Sequence, residues 1–352
     1  MKNVLETRRL TLRPLTPEDF KDMAEMLQDP EVMYAWEKPF SDEEVKAWID
    51  RQLERYERDG CGYWGAWNEN GFMVGQMGLV RSEIGLSLGY ILKKRFWHRG
   101  YAVEGAKALA EYARESLGAS KLVADIRPNN RSSIHVAEML GMTAGEVIIK
   151  MVNGKTMPHV VYTLHFEPHE MTEKEKMLAG QAYKAGDEVL VKERVRCREL
   201  MLELNSRGST DINRRRKILG ELIRAGEDAN IEPPFYCDYG YNIIAGKKFY
   251  ANFDCVFLDV TPIVFGDNVM LGPKVQIYTA THPLNAEARI QGPESAKPIT
   301  VGDNVWIGGG AILCPGVNIG SNTVIGAGSV VTRDIPEGVF AAGNPCKVVK
   351  KV

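Results

Sequence analysis

From about residue 240 onward the chain repeats with a period of six, and this constrains its fold more than any other feature. Phe265, Leu271 and Ile277 are spaced by six, as are Val301, Ile307, Leu313, Ile319, Ile325 and Val331. Three places after these apolar positions stand Asn268, Asn304, Gly310, Gly316, Asn322, Gly328 and Asp334. Gly, Asn and Asp are the residues that tolerate a left-handed backbone, so each marks a corner. Lys274 breaks that rule once without disturbing the period. The next residues, Val269, Val275, Val305, Ala311, Val317, Thr323 and Ser329, are small or β-branched. Apolar side chains pointing inward, with a corner every six residues, predict a triangular coil of short parallel strands.

The first half has another texture. Leu10 and Leu12 alternate with polar neighbours, and Thr16-Pro17-Glu18-Asp19 offers a cap, a first-position proline and an acid before Phe20, Met23, Ala24 and Leu27. Ser41 and Glu44 repeat the capping pattern ahead of Val45, Trp48 and Ile49. Asn70-Gly71 predicts a hairpin between Tyr63 and Val80, followed by a strand over Leu88 to Leu92. A helix then carries Val103, Ala106, Ala110, Ala113 and Leu117 to Gly118. Leu122, Ala124 and Ile126 mark a strand, and Ser132 to Leu140 a helix. The expected divisions are a mixed α/β domain over 1–168, a charged helical cap over 171–230 with Cys197, Leu200, Met201 and Leu204 on one apolar face, and the coil over 231–352.

Composition excludes several classes. Charged residues make up 26% and the formal net charge is −2, so no bulk polyanion footprint is present and no nucleic-acid partner is expected. No apolar run approaches the ~20 residues of a membrane span, and Met1 to Leu10 does not read as a signal peptide. The six cysteines lack C-x-x-C spacing and the six histidines form no ligand motif. A reduced, metal-free cytoplasmic protein is the expectation.

The segments EKEKMLAGQAY, CDYGYNI, FYANFDC, IYTATHPL, KPITVGDNVWIGGGA, IGAGSVVTRDIP and AAGNPCKVVKK, spread over residues 171–352, closely resemble the maltose and galactoside O-acetyltransferases of the hexapeptide-repeat superfamily. That resemblance implies a left-handed parallel β-helix with a small helical cap. It also implies acetyl-CoA as donor, a sugar hydroxyl as acceptor, and a homotrimer whose coenzyme groove lies between subunits. Residues 1–166 resemble the GNAT N-acetyltransferases, particularly those acting on ribosomal-protein N-termini, through LTLRPLTPEDF, LGYILKKRFWHRGYAVEGAKAL and NNRSSIHVAEMLGM. That half is expected to have the α/β GNAT fold and to acetylate an amine or peptide N-terminus. Its phosphate-binding motif reads Trp97-His98-Arg99-Gly100-Tyr101-Ala102, with Trp97 in place of the usual Gln or Arg.

The resemblance assigns roles residue by residue. His282, in a break of the repeat that runs to Pro298, matches the base that deprotonates the hydroxyl, and Glu294 the carboxylate assisting it. An isolated histidine there would read as a solvated loop residue; the surrounding motif singles it out. Asn252 matches an acceptor-binding asparagine, or else stabilises its own corner. Tyr250, Asp187, Arg194 and Asp259 are acceptor-side candidates. Gly309 is placed to offer a backbone N–H to the oxyanion. Trp306, Ala327, Thr332, Arg333, Lys347 and Lys350 are placed along the coenzyme groove. In the first half Arg99, Gly100, Tyr101 and Ala102 would form the pyrophosphate turn. Asn130 and Ser133 match N-x-x-S, where the serine serves the departing thiolate or caps the following helix. Glu83 is the one acid suggested as a base. Three other readings stay open: a first half that binds acetyl-CoA or serves assembly without catalysis, a coil that is purely structural, and a non-sugar hydroxyl as acceptor for the second half.

Overall fold

A computed structural model describes residues 4–36, 38–152, 155–207, 211–226 and 228–352. The chain divides into two compact units, Met1–His169 and Glu170–Val352.

The first unit is a sheet flanked by helices. In chain order it comprises β1 (Leu5–Glu6), β2 (Leu10–Pro14), α1 (Phe20–Leu27), α2 (Asp42–Asp59), β3 (Tyr63–Asn68), β4 (Met73–Ser82) and β5 (Gly85–Leu92). There follow α3 (Tyr101–Glu115), β6 (Lys121–Ile126), α4 (Arg131–Met139), β7 (Thr143–Val152) and β8 (Lys155–His165). The sheet order is β1-β2-β3-β4-β5-β6-β8-β7. Ser41 and Glu44 cap α2 reciprocally, as their spacing predicts. Asp19 closes the same kind of box with Thr16, but on a short 3₁₀ turn that leads into α1. Met23, Met26 and Leu27 of α1 and Val45 and Ile49 of α2 are buried against Met73 and Ile91. The strands β7 and β8 were not anticipated from the sequence: Thr143–Val152 and Lys155–His165 form a long antiparallel hairpin beside β6. The sheet is antiparallel except at its centre, where β5 and β6 run parallel and share a single register pair, Ser87↔Val123. Beyond that pair the two strands splay.

The second unit is a parallel β-helix with a helical cap. Its three faces are built from strands stacked in parallel, for example Ile244↔Val264 and Val264↔Thr300 on one, Tyr250↔Met270↔Trp306↔Val324 on the second, and Val256↔Gln276↔Ile312↔Val330 on the third. Both inward rows read from the period are buried: Leu271, Ile277, Ile307, Leu313, Ile325 and Val331, and beside them Val269, Val275, Val305, Ala311, Thr323 and Ser329. The corners at Asn268, Asn304, Gly310, Gly316, Asn322 and Gly328 are left-handed. So is Lys274, at φ 60, which obeys the corner geometry despite its side chain. Asp334 is not left-handed; its carboxylate instead accepts from the Asn318 backbone N–H at 2.8 Å and from Nδ2 at 2.9 Å.

One boundary needs correction, and the cap resolves into separate helices. The coil begins before residue 231, at Arg224–Ala225, which pairs with Ile244–Ala245. The charged stretch is three helices, Glu173–Leu178, Glu188–Arg207 and Ile212–Leu222, because Gly180 and Gly186 lie in a break where Tyr183 pairs with the coil's excursion instead. Cys197, Met201 and Leu204 bury against Ile218, Leu219 and the first coil turns.

Candidate active sites

In the first unit the splay between β5 and β6 opens into a cavity of about 360 Å³. Register explains its lining. Asp125 faces Val161, and His159 lies two residues before Val161 on β8. Ile148 faces His159, and Lys150 lies two residues beyond it on β7. Side chains two apart share a face, so Asp125, Lys150 and His159 project to one side, joined by Ser87 opposite Val123. Lys150 Nζ sits 2.5 Å from Asp125 Oδ2, and Ser87 Oγ donates to Asp125 Oδ1 at 3.3 Å. Trp36, Trp48, Tyr63 and Tyr90 supply aromatic walls. Burial pushes the phenols of Tyr63 and Tyr90 up to about 12. Gly89 makes room here: a Cβ on it would lie 1.9 Å from Tyr63 Oη.

At the start of α3, Gly100 has φ +79, and the helix has no side-chain cap, so its first amides keep their donors. Arg9 organises the turn. Its Nε lies 2.7 Å from Glu104 Oε2, its Nη1 donates to Arg99 O at 3.0 Å, and its guanidinium covers the Tyr101 ring at 4.6 Å. Pairing with Arg9 and the Thr7 hydroxyl holds the Glu104 carboxyl below its ordinary value despite its burial. A helix N-terminus of this kind, with Ala102 in its first turn, suits a phosphate. Trp97 takes no part in the turn's hydrogen bonds, because its Nε1 donates to Leu92 O at 2.8 Å. Asn130, not Ser133, caps α4, through Ser133 N–H to Oδ1 at 3.1 Å; both residues line the cavity. Glu83 lies exposed in the β4–β5 turn and outside the cavity lining.

In the second unit the candidate residues fall on two different edges of the triangular coil. One edge carries Asn252, then Gly272, Gly308 and Gly326 at the same level of successive turns, with Gly309 and Ala327 next to them. Gly308 donates to Ile325 O and Gly310 to Pro273 O, both at 2.8 Å, whereas the intervening Gly309 N–H donates to no described residue. Asn252 turns its own Oδ1 to the Phe253 N–H at 2.8 Å, the corner-stabilising role. The adjoining face bears an outward row: Tyr250, Met270, Trp306, Val324, Phe340 and Lys350, each paired with the next. Met270 and Trp306 are 51% and 53% exposed. Lys347, on the same last strand, pairs with Ala342.

Another edge carries the excursion, together with Thr332 and Arg333, both exposed. Its neck is a two-stranded antiparallel ribbon, Ala280↔Ala296 and Thr281↔Ser295. The ribbon ends there, and His282 and Glu294 are the next residues along its two strands. Glu294 exchanges both backbone hydrogen bonds with Tyr183, at 3.0 and 3.2 Å. The Glu294 carboxylate is engaged by Tyr183 Oη at 2.7 Å; burial, and then this bond, raise the phenol's pKa. The cap residues Met177, Leu178 and Leu190 pack around Tyr183, Tyr239 and Ala296.

The remaining acceptor-side candidates are structural in this conformation. Asp187 caps the helix Glu188–Arg207, accepting from Val189 N–H at 3.0 Å. Arg194 donates to Tyr239 Oη at 2.7 Å and Ala185 O at 2.6 Å. Asp259 is fully buried, which removes it from direct contact with an acceptor. Its Oδ1 accepts from the Asp238 and Tyr239 N–H groups, both at 2.9 Å, while Oδ2 has no partner. Burial lifts its pKa to about 7. The neighbouring Asp238, which the sequence reading passed over, is also raised by burial, with the Arg194 charge opposing.

A sheet opened at its centre, an uncapped helix start and a coil with an unpaired amide on one edge and a histidine-bearing excursion on another mark an acyltransferase with two candidate sites. Residues 9–143 match the Acetyltransferase (GNAT) domain, 176–225 the maltose acetyltransferase hexapeptide capping motif, and 298–333 six repeats of the bacterial transferase hexapeptide. A provisionally named acetyltransferase of Saccharomyces cerevisiae is 52% identical over 180 residues, 51% of this chain and 92% of its own. The crystal structure of a maltose O-acetyltransferase from Clostridium difficile 630 is 54% identical, over 52% of this chain and 99% of that one, with a TM-score of 0.51. A galactoside acetyltransferase in complex with coenzyme A is 42% identical over 52% and 92% of the two chains, with a TM-score of 0.50. The chain belongs to the hexapeptide-repeat acetyltransferases and carries a GNAT domain in front of that half. No described helix is long and apolar enough to cross a membrane.

Proposed function

We propose that this is a cytoplasmic tandem acetyltransferase using acetyl-CoA at both sites. The second unit acetylates a sugar hydroxyl and the first an amine. The observation that carries this reading is the unpaired Gly309 N–H on one edge and His282 and Glu294 at the neck of the excursion on another. A threefold assembly that sets one copy's excursion against the next copy's Gly309 edge would complete the site, and the exposed row through Met270 and Trp306 supplies apolar surface for such packing. In that arrangement neutral His282 takes the hydroxyl proton as the oxygen attacks the thioester carbon, and Glu294 orients the ring. The Gly309 N–H receives the developing oxyanion, a donor fixed in place before the reaction. Arg333, Lys347 and Lys350 would receive the coenzyme phosphates and Ala327 and Thr332 the pantetheine arm.

In the first unit the uncapped start of α3, from Arg99 to Ala102, would receive the pyrophosphate, and the arm would enter between β5 and β6. The test is product identification. Purified protein with isotopically labelled acetyl-CoA and a mixture of mono- and disaccharides, amino sugars and short peptides should yield O-acetylated sugar and N-acetylated amine by mass spectrometry. Absence of any labelled sugar ester would sink the sugar reading.

A further inference from the structure

The cavity of the first unit contains a histidine that no sequence motif marks. His159 is half-buried on β8, and its Nδ1 lies 3.1 Å from the Met157 carbonyl oxygen. A carbonyl can only accept, so in the neutral ring Nδ1 carries the hydrogen and Nε2 keeps a free lone pair. Burial, the largest influence, lowers the pKa of His159 and favours that neutral form; the Met157 carbonyl and Asp125 oppose it, and Lys150 and Arg127 act with it. The other titratable groups around the cavity are Tyr63 on β3, Tyr90 on β5 and Arg55 on α2. Lys150 is taken up by Asp125 at 2.5 Å, whereas Arg55, which donates to the neutral Gln52 Oε1, keeps its charge for the cavity. An excess of positive charge disfavours an ammonium and favours an anion.

We propose that His159 is the general base of this cavity, and that its acceptor is a primary amine on a carrier that also bears a carboxylate or phosphate. This deepens, and rests on, the reading of the first unit as an amine acetyltransferase. The substrate ammonium gives one proton to Nε2. The freed nitrogen lone pair forms the C–N bond to the thioester carbonyl carbon and the C–S bond breaks. The second amine proton goes to the sulfur, leaving an N-acetyl amide, a free thiol and one proton that His159 releases to water.

The experiment compares matched acceptors with the full-length protein: glucosamine 6-phosphate against glucosamine, and phenylalanine against phenylalaninamide. The anionic member should show at least about tenfold higher kcat/KM, and Arg55→Gln should narrow that gap; the two pairs separate phosphate from carboxylate recognition. His159→Gln should lower kcat/KM by about 10²–10⁴-fold at an unchanged melting temperature, and added imidazole should partly restore His159→Ala. Should neither variant fold, the wild-type profile decides: kcat/KM should rise with pH through a value below that of an ordinary histidine. Equal rates for neutral and anionic amines would overturn the acceptor class. Retained turnover in His159→Gln, or a rise only at alkaline pH, would overturn the base. No turnover of any amine by the wild type would overturn the reading of the unit itself, and the base with it.

Discussion

The two units place their chemistry in opposite ways. In the first, Ser87, Asp125, Lys150 and His159 come from four strands and meet in one cavity within a single chain. In the second, residues from a nearly one-dimensional repeat sit on separate edges, with Asn252, Gly309 and Ala327 on one and His282 and Glu294 on another. A mixed sheet brings distant segments together by strand pairing, and a splay at its centre makes a pocket. A coil brings together only what lies one turn apart, so on the proposed reading its site draws on an excursion and on a neighbouring copy. The first site should therefore be indifferent to oligomeric state and the second should depend on it.

The largest expected effect breaks that contrast directly. Replacing Met270 and Trp306 together by glutamate should convert the assembly to monomers in sedimentation experiments, because two buried charges per interface have no partner. Sugar acetylation should fall by ~10²-fold or more, the scale of a catalytic group withdrawn, while amine acetylation persists. A smaller effect is expected from Gly100→Val. A β-branched residue is a backbone outlier at φ +79, costing about 1–2 kcal/mol, and its Cβ would crowd Arg9 Nη2 at 3.3 Å. The KM for acetyl-CoA in the amine reaction should rise roughly tenfold, as that cost converts, with the sugar reaction unchanged.

The smallest effect concerns stability. Asp259 is raised from its ordinary 3.8 to about 7 by burial, so between these values the folded chain holds a proton that the unfolded chain has lost. Its contribution to stability is complete below about pH 4 and is lost as pH rises through about 7. Asp259→Asn keeps an acceptor for the Asp238 and Tyr239 amides and cannot ionise. The fall in melting temperature of the second unit from pH 6 to pH 7 should shrink by a few degrees, the order expected for ~1 kcal/mol in a unit of this size. An undiminished fall would place the pH dependence elsewhere.

How much was legible in the sequence follows the same division. The coil's interior could be read because each inward residue recurs six places on, and Ile307, Leu313 and Ile325 are completely buried as that period requires. Its first turns escaped because Ala225, Ala245 and Phe265 stack at intervals of twenty residues, against eighteen for Val301 and Ile319, which blurs a six-residue pattern. His282 and Glu294 were found through motif resemblance, but the engagement of Glu294 by Tyr183 depends on a bridge between distant segments. In the first unit Gly100 and Asn130 were found through motif resemblance, and both stand at helix starts. Asp125, Lys150 and His159 were not, since only the pairing of β6, β7 and β8 brings them to one face. Asp187 and Asp259 show the reverse: acids that a motif suggests for substrate are used for helix capping and for ordering a corner.

The central claim is that one chain carries two chemically separate acetyl-transfer sites. Its most direct test is to run wild type and His282→Ala side by side on one mixture of sugars and amines, counting O-acetyl and N-acetyl products from the same sample. The account predicts that ester formation drops by about 10²–10⁴-fold while amide formation is unchanged. Loss of both products in proportion, or of neither, would contradict it.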